Sequence, residues 1–208
     1  MCSSDLGVIA DLDTLGTLPQ REFASGLAEV VKYAMILDAG LFDRLESRAA
    51  DIVRRHPGDL ATIVARSAAL KASVVSRDEH ERTGLRAILN YGHTFAHAYE
   101  NTLGYGTLLH GEAVAIGMAD AAELAVRMGR IPAELARRQD ALLAALQLPV
   151  RPPEGRTPPS DALVAAMGRD KKVVDGRLRF VLPSRLGEVE LVDGVDPSVV
   201  RAVLERPR

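Results

Sequence analysis

A chain of 208 residues with 47% hydrophobic and 26% charged side chains has the profile of a soluble protein, long enough for one sizeable core or two small ones. A net charge of −2 gives no electrostatic reason to expect nucleic acid or an anionic membrane as a partner, and no apolar run approaches the roughly 18–20 residues of a membrane span. The single cysteine excludes an internal disulfide framework, and no charged-then-apolar signal opens the chain, so cytoplasm is the default location.

Met1 is followed by "CSSDL", which is how a common sequencing-adapter string reads when translated in frame. Residues 1–6 are therefore expected to be an artefact without structural meaning, Cys2 included. "GVIADLDTL" then reads as a short strand with no partner of its own, so residues 7–18 are expected to be the remnant of a preceding α/β domain. From Glu22 to about Leu148 the periodicity and alanine content are helical, with segments at 22–37, 40–55, 59–77, 87–102, 111–128 and 132–146. Breaks fall at Gly40, at His56-Pro57-Gly58, around Thr83-Gly84, at Gly104 to Gly106, and at Pro132. "LPVRPPEGRTPPS" (148–160) is a loop or linker. A short helix follows, "SDALVAAMGRDKK", capped by Ser160 or Asp161; "RLRFVLP" and "GEVELV" make a small β-hairpin; and "DPSVVRAVLER" closes the chain as a helix with Asp196 as N-cap and Pro197 in its first turn. No internal repeat is visible.

Chemistry can be sought in a few places. In "REFASGLAEVVKYAMIL", Glu29 and Lys32 are three apart, hence on one helical face. A solvated stripe is the commonest fate of such a pair, but the apolar flanks (Leu27, Ala28, Val30, Val31, Ala34, Met35, Ile36) leave little room for a polar surface. A buried Glu needs a partner charge or a metal. In "LNYGHTFAHAYE", His93 and His97 are four apart and share a face, which suits a metal site and equally a surface or a satisfied core pair. His110 stands at the start of a helix rich in Gly and Ala, where the macrodipole disfavours imidazolium and favours the neutral form a ligand must have; an indifferent N-terminal residue is the bland alternative. Glu29, His93 and His110 together make a two-His, one-carboxylate set, the pattern of a catalytic zinc with an open fourth position. His56 and His80 read as surface. The cations Lys71, Arg86, Lys171 and Lys172 would suit a phosphorylated or carboxylated substrate, although most Lys and Arg in any protein are simply solvated.

Four blocks in order, "LPQREFASGLAEVVKYAMILD", "KASVVSRDEHERTGLRAILNYGHTFAHAYE", "LLHGEAVAIGMA" and "GRDKKVVDGRLRFVLP", closely resemble the 3-dehydroquinate synthases, from about Val8 to near Leu191. Sister sugar-phosphate cyclases, such as 2-deoxy-scyllo-inosose synthase, share most of the metal motif and are the nearest alternative. The resemblance implies a mainly α fold: the helical C-terminal domain of the dehydroquinate synthase-like fold at 19–208, with a remnant strand of the NAD-binding domain before it and a small hairpin near the C-terminus. It implies conversion of 3-deoxy-arabino-heptulosonate 7-phosphate to 3-dehydroquinate and phosphate, with NAD and Zn2+ or Co2+ as cofactors, in a parent protein that is a homodimer. Glu29, His93 and His110 would hold the metal, and Lys32 would meet substrate hydroxyls beside it. Lys71 and Arg86 would take the substrate carboxylate. Asn90 and His97 would face the phosphate, with one of Lys171 and Lys172 reaching it. Glu81 falls at a substrate-site acid, although "DEHERTGLR" is one residue longer than the commoner form. Hydride leaves the substrate and returns in this chemistry; the transient ketone acidifies the neighbouring C–H so that phosphate can be eliminated, and ring opening and an aldol closure follow.

No Gly-rich phosphate loop follows a strand in this chain. The expectation is thus a fragment inactive without its cofactor-binding half, with an exposed edge at Val8, Ile9 and Leu12. The competing reading from another class is a helical metal-binding or interaction module with no turnover.

Overall fold

Small side chains decide which helix lies at the centre. The computed structural model describes residues 9–79, 84–104, 106–169 and 178–206. Three helices, α1 (Gln20–Leu37), α2 (Ala39–Val53) and α3 (Pro57–Arg77), precede a 3-10 turn at Leu85–Asn90. Then come α4 (His93–Leu103), α5 (His110–Arg127), α6 (Ala133–Ala145) and α7 (Ser160–Arg169), a hairpin of β1 (Leu178–Arg185) and β2 (Glu188–Val195), and α8 (Pro197–Leu204). Helix α5 is apolar round nearly all its circumference, with Ala113, Val114, Ala115, Ile116, Met118, Ala121, Ala122 and Leu124 buried. A helix of that kind has to be enclosed. Helices α1, α4, α6 and α8 and strand β1 pack around it.

Two glycines on α5 set how closely its neighbours approach. A Cβ added at Gly111 would lie 1.9 Å from the carbonyl oxygen of Ser25 on α1, and one at Gly117 would lie 2.1 Å from that of Gly92, just ahead of α4. Gly92 has φ +78°, and its own Cβ would meet the Met118 backbone nitrogen at 2.8 Å. Only glycine fits a left-handed backbone at such a contact. The expected single helix over 87–102 is accordingly two pieces: a 3-10 turn to Asn90, a reversal at Tyr91–Gly92, and α4 starting at His93.

The hairpin is antiparallel, with Val181 opposite Leu191 and Leu182 opposite Glu190. Strand β1 turns Leu178, Phe180 and Leu182 into the core, and the Phe180 ring lies 5.1 Å from that of Phe95 on α4. At the turn, the Gly187 N–H donates to the Met35 carbonyl at 3.0 Å, tying the hairpin to the end of α1. Asp196 caps α8 by accepting from the Ser198 N–H at 2.8 Å, as its position before Pro197 leads one to expect.

Two further local expectations fail. No strand forms within the described part of "GVIADLDTL"; Leu12–Thr17 is a 3-10 helix instead. The Asp11 carboxylate accepts the Asp13 N–H at 3.0 Å, and the Thr14 hydroxyl donates to the Asp11 carbonyl at 2.6 Å. Short polar side chains thus satisfy locally the groups that a strand would leave for a neighbour. Arg55 fastens the segment by donating to the carbonyls of Gly16 and Leu18 at 2.8 and 2.7 Å, while Ile9 is exposed and Leu12 half-buried. Second, neither Ser160 nor Asp161 caps α7: the first-turn amides of Ala162 and Leu163 go to the Pro159 carbonyl. The two side chains reach α8 and its end, Ser160 to Glu205 and Asp161 to Arg201. No helix among the described residues is long and apolar enough to cross a membrane.

Gly117→Ala should lower unfolding stability by about 1–3 kcal/mol or more, because backbone rather than a flexible side chain must move. Chemical denaturation measures this. A variant as stable as the parent would contradict the close-approach argument.

Candidate metal centre

Three elements converge at one end of α5. Glu29 lies on α1, His93 is the first residue of α4, and His110 is the first of α5. One potential donor atom from each lies within 4.8 Å of the other two. The Glu29 Oε1 to His93 Nε2 distance is 3.8 Å. A tetrahedral cation at the usual 2.0–2.2 Å wants donors about 3.4 Å apart. Closing on one therefore asks the donor atoms to approach one another by about an ångström. The other oxygen of Glu29 is 2.5 Å from Lys32 Nζ, whereas Oε1 is buried with no hydrogen-bond partner. A carboxylate oxygen left open beside two imidazoles fits a divalent cation well.

Local structure explains the aim of each ligand. The His93 Nδ1 is 3.1 Å from the Tyr91 carbonyl, which the left-handed Gly92 turns back onto the ring. The His110 Nδ1 is 2.9 Å from Glu100 Oε1 on α4. The start of α5 is held twice: Gly111 N–H donates to Ser25 Oγ at 3.1 Å, and Leu109 N–H donates to Glu112 Oε2 at 2.8 Å. Glu112 is itself gripped by Arg21, with contacts of 2.6 and 2.7 Å.

The charges are unequal in exposure. Lys32 is only 3% exposed, and burial lowers its pKa against the opposing pull of Glu29, with Lys71 lowering it further. Burial, and after it the Lys32 charge, push His93 down to about 4. The imidazole is thus neutral at physiological pH, as a ligand must be.

The other sequence candidates distribute as follows. His97, one turn after His93, has its ring 5.7 Å from that of His93 and edge-on to it; the His93 ring is also 5.5 Å from that of His110. Lys71 is exposed on α3, yet near enough for its charge to act on Lys32. Arg86 is half-buried in the 3-10 turn; its backbone N–H donates to Asp78 Oδ2 at 3.3 Å and its Nη1 to the Glu79 carbonyl at 3.4 Å. Asn90 lines a cavity of about 90 Å3 together with Thr94 and Arg179. Glu81, Lys171 and Lys172 lie outside the described residues, as does His80. His56 is exposed and 3.2 Å from Asp59.

Two residues were not singled out from the sequence. Arg179 shares the Asn90 cavity, and strand alternation in "RLRFVLP" was the one signal pointing it away from the buried Leu178 and Phe180. Glu100 meets His110 across a loop, and no sequence spacing signals that contact.

The sequence pattern described as 3-dehydroquinate synthase C-terminal matches residues 26–173. A curated 3-dehydroquinate synthase from Methylococcus capsulatus is 50% identical over 95% of this chain and 54% of its own length. Another, from Rhodopirellula baltica, is 47% identical over 93% of this chain and 51% of its own. The chain thus spans about half the length of the curated relatives it matches. Among solved structures, a 2-epi-5-epi-valiolone synthase from Streptomyces hygroscopicus subsp. jinggangensis 5008, with NAD+ and Zn2+ bound, superposes with a TM-score of 0.83 at 33% identity, covering 93% of this chain and 53% of that one. A 2-deoxy-scyllo-inosose synthase complexed with carbaglucose-6-phosphate, NAD+ and Co2+ gives 0.75 at 30%, covering 94% and 54%.

The lowered pKa of His93 sets a pH expectation. The unfolded chain takes up this proton near the ordinary 6.5 and the folded chain only near 4, so the group costs stability as pH falls through that window and costs no more below it. In the metal-free chain, ring NMR signals of His93 should stay those of a neutral imidazole at pH 5.5. A titration midpoint near 6.5 would contradict the burial argument.

Proposed function

Because the chain belongs to the 3-dehydroquinate synthase C-terminal family, we propose that it is the metal- and substrate-binding part of a 3-dehydroquinate synthase. The whole enzyme would convert 3-deoxy-arabino-heptulosonate 7-phosphate to 3-dehydroquinate and phosphate. The observation that carries this is the convergence of Glu29, His93 and His110 on one point beside the buried Lys32. The preference for dehydroquinate synthesis over a sister cyclase rests on the 47–50% identity to synthases of that name, against 30–33% to the structural neighbours.

Residues 19–208 are read as one metal- and substrate-binding domain. No strand, Gly-rich loop and helix unit for a dinucleotide stands among the described residues, so NAD would be held chiefly by the part of the relatives that this chain does not span. A bound divalent cation would supply Lewis acidity toward a substrate hydroxyl, and a bound nicotinamide would supply reversible hydride transfer. The chain's own groups do the rest. Glu29, His93 and His110 hold the cation. Lys32, anchored by Glu29 and short of water, donates a hydrogen bond to a substrate hydroxyl beside it. Lys71 and Arg86 bind the substrate carboxylate, Arg86 with a planar fork that matches it. Asn90 and His97, one on each side of the Gly92 reversal, face the phosphate end; for Lys171 or Lys172 a phosphate contact, and for Glu81 the role of substrate-site acid, are carried from the family resemblance alone, since all three lie outside the described residues.

One zinc per chain should bind, as read by metal analysis after dialysis. His93→Ala should abolish it while His97→Ala spares it; loss of zinc in the second variant would mean that the ligand and substrate roles of the two histidines are exchanged.

Specificity has its own test. In a full-length enzyme carrying this domain, Arg86→Gln should cost about 2–5 kcal/mol of transition-state stabilisation as read from kcat/KM, the loss of a charge-assisted contact to a carboxylate. Unchanged kinetics would favour a sister cyclase, whose sugar phosphate has no carboxylate to bind.

A further inference from the structure

We infer that Glu100 is a positioning residue for the metal centre: its carboxylate accepts the Nδ1–H of His110 and thereby fixes the ring so that Nε2 is the atom offered to a cation. The inference rests on the reading of Glu29, His93 and His110 as ligands. Nδ1 of His110 is 2.9 Å from Glu100 Oε1, so that nitrogen is already engaged. His93 shows the same arrangement with a different acceptor, its Nδ1 being 3.1 Å from the Tyr91 carbonyl while its Nε2 faces Glu29. On both rings Nδ1 thus has an acceptor within hydrogen-bond distance, which leaves Nε2 as the available nitrogen. A ligating histidine ordinarily donates its second N–H to a carboxylate or carbonyl in this way, which fixes the tautomer and raises the basicity of the ligating nitrogen.

The two rings differ in how much support they need. His93 is largely enclosed, its side chain 12% exposed, and packing confines its ring. The His110 side chain is 54% exposed at the first position of its helix, where packing alone leaves the ring free to rotate. Glu100 lies on α4 only seven positions after His93, so one helix carries both a ligand and the group that orients another ligand. As a plain surface ion pair the contact would contribute little. Its value on this account lies in the direction it imposes on the ring.

The test uses the 208-residue chain and zinc, with a chromophoric chelator as competitor. Glu100→Ala should weaken zinc binding by roughly 10–100-fold. Glu100→Gln, whose amide oxygen still accepts the Nδ1–H, should recover most of that loss. In the metal-free chain at alkaline pH, nitrogen NMR of His110 should show the Nδ1–H tautomer in the parent and its loss in Glu100→Ala. Equal zinc affinity in the parent and Glu100→Ala would overturn the inference, and so would Glu100→Gln binding as weakly as Glu100→Ala, since a charge effect or direct ligation would then be at work. Failure of the parent chain to bind zinc at all would instead remove the metal centre on which the inference rests. Circular dichroism and thermal melts of each variant separate loss of the site from loss of the fold.

Discussion

Backbone meets backbone at two points along α5, and the site depends on both. Gly111 lies against the Ser25 carbonyl, one helical turn from Glu29, and Gly117 lies against the carbonyl of Gly92, next to His93. Any side chain at either glycine would push α1 or the start of α4 away from α5. Because His110 begins α5, the same two contacts fix the mutual distances of all three candidate ligands. Protein interiors are close-packed and transmit such displacements with little loss. An ångström of separation at a glycine would therefore reach the metal site, where the required adjustment is itself about an ångström.

The two ends of α5 treat buried charge differently. Toward its C-terminal end, Asp120 is 2% exposed, and both its oxygens are satisfied, one by Arg206 at 2.5 Å and the other by the Tyr99 hydroxyl at 2.7 Å. That group is closed. At the His110 end, Glu29 has one oxygen on Lys32 and leaves the other open, with a neutral imidazole facing it. An unpaired buried acceptor costs free energy that a folded chain normally avoids. A cation seated there would offset that cost and stabilise the folded form by mass action, by about 2.7 kcal/mol at a hundred times its dissociation constant.

Long, strongly periodic stretches were legible from residues alone. The helices around Glu29, around Lys71 and after His110 follow from apolar spacing, and the hairpin and Asp196 cap follow from turn chemistry. The break before His93 was not legible, because "RAILNYGHTFAHAYE" keeps a helical apolar rhythm straight through Gly92. What interrupts it is the Gly117 contact, a tertiary fact that overrides local propensity. The N-terminal run misled for the opposite reason: its β-branched composition favours a strand, but Asp11 and Thr14 satisfy the backbone locally. The two-His, one-carboxylate set was visible only as residue types in suitable helices, and convergence needed the fold. Glu100 was invisible, since its relation to His110 exists only across the α4–α5 interface.

The central claim is that Glu29, His93 and His110 hold one divalent cation. X-ray absorption at the zinc edge, on the zinc-loaded chain, addresses it most directly. The account predicts a shell of nitrogen and oxygen at about 2.0–2.2 Å containing two imidazoles, recognisable by their outer-ring scattering, with one carboxylate and an exchangeable light atom. A shell with sulfur at about 2.3 Å, or one of oxygen without imidazole, would contradict it.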